Sequence, residues 1–176
     1  MERVLFDDVV QTDYGQFDLV WDGEFGFDGD ADRFFAGQVN GLAGAAHGDG
    51  VYVHFARRSG GSPVRIVLLD VAPGVPEESW EDVVEVSIDV RSADVGYTSW
   101  AGESGGKLEG VAPGSYRLRV SERGRDIARD REFADGLFDA YLLQLWPAPA
   151  EPDAILRVTS EDARYFHREW GSRRPA

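Results

Sequence analysis

The sequence predicts an all-β fold, a single-domain antiparallel β-sandwich with a short C-terminal helix. Three observations carry that expectation. About nine short segments alternate apolar and polar residues, separated by Gly, Pro and Asp turns, which is the rhythm of a two-sheet protein. The stretch Asp139-Ala140-Tyr141-Leu142-Leu143-Gln144-Leu145-Trp146-Pro147 is largely apolar on both faces, so it reads as a strand near the middle of a sheet. Its proline then ends the ladder. Only Ser160 to Trp170 carries helix signals: an N-capping Ser160, Glu161 and Asp162 in the first turn, and Phe166 and Trp170 four apart on one stripe.

From the N-terminus, Val4-Leu5-Phe6 and Val9-Val10 suggest a first strand interrupted at Asp7-Asp8. Gln16 to Trp21 alternates, with Phe17, Leu19 and Trp21 on one side. Gly23 to Asp32 is a Gly/Asp loop, and Ala31 to Ala36 has room for one helical turn before Gly37, Gly41 and Gly44 make a longer helix costly. Val51 to Phe55 and Val64 to Leu69 are expected to pair as a hairpin across a Ser59-Gly60-Gly61-Ser62 turn. Trp80 to Arg91 is the cleanest strand, with Val84, Val86, Ile88 and Val90 facing a core and Glu85, Ser87, Asp89 and Arg91 facing water. Further strands are expected at Val95 to Trp100, Lys107 to Glu109, Ser115 to Ser121 and Ile155 to Thr159. The mixed charges of Arg123 to Glu132 read as a solvated loop. A chain of 176 residues, 43% hydrophobic and 12% aromatic, suits one domain over residues 1–171 with a frayed tail at 172–176.

The absence of cysteine excludes disulfide scaffolds, thiolate zinc sites and cysteine nucleophiles. No apolar run is long enough to cross a membrane, and Glu2, Arg3, Asp7 and Asp8 do not make a secretory signal, so a cytoplasmic protein is expected. The formal net charge is −14, and residues 1–50 contain eleven acidic side chains against Arg3 and Arg33. Such a surface repels nucleic acid and draws in a basic partner. Arginine outnumbers lysine seventeen to one, a compositional habit rather than a site.

Motifs for chemistry are weak. Gly102-Glu103-Ser104-Gly105-Gly106 and Ala45-Ala46-His47 look like the nucleophile and histidine segments of chymotrypsin-like proteases, with Asp70 between them. His47 and Ser104 nevertheless lie too close in sequence to complete one barrel and cross into a second. Asp28-Gly29-Asp30-Ala31-Asp32 opens like a calcium loop, yet Arg33 and Val39 stand where that loop needs Gly and Glu. His47, His54 and His167 are dispersed, and Glu85, Asp89 and Asp94 are ordinary wet-face carboxylates. Of the five tryptophans, Trp146 and Trp170 suit the core, whereas Trp100 suits an exposed interface anchor.

Three short segments, Tyr14-Gly15-Gln16-Phe17, Glu85-Val86-Ser87-Ile88 and Gly114-Ser115-Tyr116-Arg117-Leu118, resemble the competence protein J family. The resemblance spans about residues 12–146 and implies a small intracellular inhibitor of a DNA-entry nuclease. The leading expectation is therefore a non-enzymatic acidic module that binds a basic protein through Asp28, Asp30, Asp32, Trp100 and Glu103, with no catalytic residue, metal or cofactor. A sandwich binding a small molecule or carbohydrate is the first alternative. A serine hydrolase using His47 and Ser104 is the second.

Overall fold

The alternating segments form two sheets. The computed structural model describes residues 1–22 and 25–175; Gly23 and Glu24 of the predicted loop, and Ala176 of the predicted tail, lie outside the described residues. In chain order the elements are β1 (Glu2–Asp13), β2 (Gln16–Val20), α1 (Ala31–Phe35), β3 (Ala43–Gly44), β4 (Gly50–His54), β5 (Ser59–Leu69), β6 (Asp82–Val90), β7 (Gly96–Ser99), β8 (Gly105–Lys107), β9 (Gly114–Arg123), α2 (Arg125–Asp130), β10 (Ala140–Pro147), β11 (Ala154–Arg157) and α3 (Glu161–Glu169). One sheet has six strands in the order β1-β5-β10-β9-β6-β11, and the other has five in the order β3-β4-β2-β7-β8.

β10 lies inside the larger sheet, as its two apolar faces require, but the sheet is mixed rather than antiparallel. β10 runs antiparallel to β9 and parallel to β5, with Tyr141 opposite Val64 and Leu145 opposite Leu68. A parallel neighbour needs a long crossover, and the chain supplies one between Leu69 and Ala140. The expected hairpin of β4 with β5 is overturned. β4 pairs with β2 and β3 in one sheet, and β5 pairs with β1 and β10 in the other. Ser59 to Ser62 is no turn but the first part of β5, paired with Val10 to Asp13. The glycines there admit close neighbours: a Cβ on Gly60 would stand 2.5 Å from the Arg57 guanidinium.

β1 runs unbroken through Asp7-Asp8, with its register shifted between Val4 and Phe6. The solvated loop expected at Arg123 to Glu132 is instead the short helix α2, in which Arg125 and Ala128 are buried. Residues 172–174 of the predicted tail make contacts with the body of the chain. The Ser172 and Arg173 N–H groups donate to the Val39 and Gln38 carbonyls at 3.2 and 2.8 Å, and Arg174 pairs with Asp153. α3 begins as predicted, with the Ser160 side chain accepting from the Ala163 N–H.

Both sheets contribute to one apolar cluster, including Leu143, Leu145, Val84, Val86 and Leu118 from the larger sheet and Phe17, Leu19, Val51 and Val53 from the smaller. Phe55 joins them where the chain changes sheets. Its ring stacks on Tyr141 at 3.8 Å and on Phe17 at 5.0 Å. A second aromatic layer covers the other side of the smaller sheet. There Tyr52 carries Phe27 stacked at 3.9 Å, with Phe34, Phe35 and Trp170 around it.

Candidate functional site

The predicted partner-binding residues occupy two patches. The first is the segment that leads into α1. The Asp30 side chain accepts from the Arg33 N–H at 3.3 Å and so caps the helix. Asp28 accepts the Asp30 N–H at 3.0 Å and pairs with the Arg33 guanidinium at 2.7 Å. Asp32 pairs with Arg173 at 2.7 Å. Phe27 pins the segment onto Tyr52, and all three carboxylates are exposed. Exposed ion pairs of this kind contribute about 0–1 kcal/mol, so a basic partner can displace them at little cost. No group of three metal-ligating side chains is assembled among the described residues.

The second patch is the turn after β7. Trp100 is 39% exposed and rests on Tyr14 with the ring centroids 5.0 Å apart. Tyr14 has φ 57° and Gly15 φ 65°, a left-handed pair that turns the chain from one sheet into the other. A Cβ at Gly15 would lie 2.3 Å from the Phe55 carbonyl oxygen, so only glycine fits. The turn presents the Tyr14 ring outward, and in the sequence Tyr14 stood out only as part of the Tyr14-Gly15-Gln16-Phe17 segment. Glu103 is exposed on the same turn. Local desolvation, then the nearby charge of Asp13, raises its carboxyl above the usual glutamate range. No hydrogen bond, ion pair or ring contact joins this turn to the Asp28–Asp32 segment among the described residues.

The hydrolase constellation does not assemble. Ser104 Oγ accepts the Gln11 N–H at 3.0 Å and donates to the Gln11 carbonyl at 3.1 Å, which ties the Gly-rich loop to β1. His47 lies elsewhere, with Nε2 accepting from Arg33 at 2.6 Å and Nδ1 3.5 Å from Asp49. Two of the carboxylates expected on the wet face are held by cations. Glu85 is clamped by Arg117 at 3.2 Å and Arg119 at 2.8 Å, and Asp94 is bound by Lys107 at 2.7 Å.

A buried ionic network went unread in the sequence because its centre sits in the charged Arg123–Glu132 run. Arg125 is 0% exposed. It donates to the Glu122 carboxylate, to Asp162 Oδ2 at 2.9 and 2.6 Å, and to the His54 carbonyl at 2.8 Å. Its Nη2, which also donates to Asp162, faces His54 Nδ1 at 3.2 Å. A guanidinium has no acceptor, so Nδ1 accepts and His54 carries its proton on Nε2. Burial, then the charges of Arg125 and Arg129, holds the His54 imidazole well below its ordinary range. Burial pushes the Glu122 carboxyl up against the pull of Arg125. The network fastens α2 to α3 and both to β4, and so fixes the layer that carries Trp170.

No protein-family model and no curated relative matches the sequence. Among solved structures, the chain is similar to ComJ of Bacillus subtilis, an inhibitor of the DNA-degrading activity of NucA. The TM-score is 0.56 at 16% identity, over 84% of this chain and 99% of ComJ. It is also similar to the product of crocagin biosynthetic gene J, with a TM-score of 0.54 at 16% identity, over 85% of this chain and 99% of the other. At that identity the likeness establishes a shared fold, and it agrees with the resemblance to competence protein J carried by Tyr14-Gly15-Gln16-Phe17 and its companion segments.

Proposed function

We propose that the protein is a non-enzymatic, acidic binding module of inhibitor type, acting in the cytoplasm on a basic partner that degrades nucleic acid. The observation that carries the reading is the fold shared with a nuclease inhibitor across nearly the whole of that inhibitor. The charge of −14 supports it, because a nuclease cleft is built to attract phosphates and a carboxylate surface competes for the same cations. Asp28, Asp30 and Asp32 supply an exposed acidic edge. Trp100, backed by Tyr14, supplies an aromatic anchor of the kind that dominates interface energies. Glu103 and Asp13 form a pair of like charges that a partner's cation would relieve. Part of the same reading is that the two sheets close face to face as a sandwich, supported by the core they share.

The test is capture of partners from the native cytosol at low and moderate salt, followed by a DNA-degradation assay on the captured material. The expected result is a nuclease whose capture weakens with salt and with the triple variant Asp28→Lys, Asp30→Lys, Asp32→Lys, and further with Trp100→Ala. Capture indifferent to salt and to all four substitutions removes the reading.

A further inference from the structure

We propose that the cavity between the end of β4 and the α2–α3 layer is a binding site for a small anion carried on an aromatic ring. The cavity measures about 280 Å³ and is lined by Tyr14, His54, Arg58, Arg129, Tyr165 and Trp170 among others. Its charge runs against the rest of the molecule. In a chain of net charge −14, Arg58 makes no ion pair among the described residues and stands over the Tyr14 ring at 5.5 Å. Arg129 is 45% exposed, and its ion-pair partner, Asp162, comes no closer than 3.8 Å. Two cations without close carboxylates beside one cavity are placed to take an outside anion.

His54 supplies the second observation. It is 5% exposed and lines the cavity, wedged against Phe166 at 4.0 Å and Trp170 at 4.8 Å. Arg125 commits Nδ1 as an acceptor, so Nε2 bears the hydrogen, and Nε2 has no hydrogen-bond partner among the described residues. Nε2 is not fully buried, so it keeps contact with solvent, and an acceptor bound in the cavity would take the place of water there. Tyr165, 47% exposed, and Trp170 provide flat apolar walls beside these donors. Donors at the mouth and floor with aromatic walls between them match one oxyanion, carboxylate or phosphate, attached to one ring.

This site does not rest on the partner-binding reading: none of Asp28, Asp30, Asp32, Trp100 and Glu103 lines it, and the two share only Tyr14, which backs Trp100. The test is titration of the full chain with phenyl phosphate, benzoate, inorganic phosphate and benzyl alcohol, followed by calorimetry and tryptophan fluorescence. Phenyl phosphate or benzoate is expected to saturate, with the tighter of the two naming the oxyanion, and with inorganic phosphate and benzyl alcohol each at least about tenfold weaker. Arg58→Gln and Arg129→Gln are each expected to weaken binding about tenfold, the loss of one charge-assisted hydrogen bond. Arg129→Lys, which keeps the charge, should recover part of that loss and shows that the loss is not misfolding. The triple aspartate variant should bind as the parent does. The proposal is overturned if neither aromatic anion saturates by about 10 mM, if both glutamine variants bind like the parent, or if benzyl alcohol binds as tightly as the anions.

Discussion

Asp18 gives the sharpest test of the electrostatics, because it is a carboxyl sealed beneath the aromatic layer. It sits in β2 opposite Tyr52 and Thr98, is 0% exposed, and accepts from Gln16 Nε2 at 2.7 Å through Oδ2. Its Oδ1 has no partner among the described residues. Burial, opposed only by the Gln16 hydrogen bond, lifts the carboxyl from 3.8 to about 7. The folded protein therefore holds this proton more tightly than the unfolded chain. Stability falls as pH rises from 3.8 towards 7 and is level above it, since the folded state then carries an unpaired buried charge. At about 1.36 kcal/mol per pH unit the ceiling is about 4 kcal/mol, and local relaxation around the ionised form brings the expectation to about 1–3 kcal/mol. Asp18→Asn keeps the shape and the acceptor for Gln16 but cannot ionise. Urea denaturation of both proteins at pH 4, 6 and 8 should show Asn more stable by about 1–3 kcal/mol at pH 8, with the two within about 0.5 kcal/mol at pH 4. His167, lowered to about 4 by burial, destabilises the fold as pH drops below 6.5, but it does so in both proteins and cancels in the difference. A stability difference that did not change with pH, or a less stable Asn variant at pH 8, would refute the reasoning.

Arg125→Met leaves the Glu122 and Asp162 carboxylates buried without their cation and should cost about 3–5 kcal/mol by urea denaturation. Combining it with Glu122→Gln should cost less than the sum of the two, and strict additivity would mean that the pair does not interact. Ser160→Ala removes the cap from the Ala163 N–H at 3.0 Å and a hydrogen bond to Asp82 at 2.6 Å, with an expected loss of about 1–2 kcal/mol. Gly15→Ala combines a left-handed φ with a clash against the Phe55 carbonyl and should cost at least about 2 kcal/mol, read as a lower melting temperature.

What was legible in the sequence was whatever rests on local periodicity. The interior position of β10, the dry face of β6 and the cap at Ser160 all follow from neighbours in the chain, whereas the face of β6 expected to be wet is partly covered, with Glu85 held between the buried Arg117 and Arg119. What was hidden depends on partners far away in sequence. The sheet change after His54 is set by Phe55 stacking on Tyr141 and by its N–H bonding to the Gly15 carbonyl at 2.8 Å, and neither partner is within reach of a hairpin rule. α2 was missed because its helical run is one turn and a half, anchored by a buried Arg125 that reads as a solvated charge. Among the candidate contact residues, Trp100 and the three aspartates are exposed. The cavity at His54 was invisible, because Tyr14, Arg129 and Tyr165 come together only through the sheet change and the α2–α3 pairing.

The same long-range logic bears on the charge itself. Backbone groups in irregular connections need partners, and here ionised side chains provide them from both signs. Arg57 spends one guanidinium on the carbonyls of Ser59, Ala134 and Gly136, and Arg157 holds those of Pro76, Glu77 and Trp80. Only a planar fork of donors spans several carbonyls at once, which gives a physical reason for arginine over lysine in this chain. Carboxylates do the converse. Asp153 gathers the Val39 and Asn40 N–H groups, Asp82 those of Thr159 and Ser160, and Asp126 those of Glu161 and Asp162. Much of the excess negative charge is therefore structural mortar, and net charge by itself is a weak argument for a basic partner. The carboxylates that bear on a partner are those whose contacts are exposed or local, Asp28, Asp30, Asp32 and Glu103 among them. Reversing those asks about the partner, whereas reversing Asp82 or Asp153 asks only whether the chain still folds.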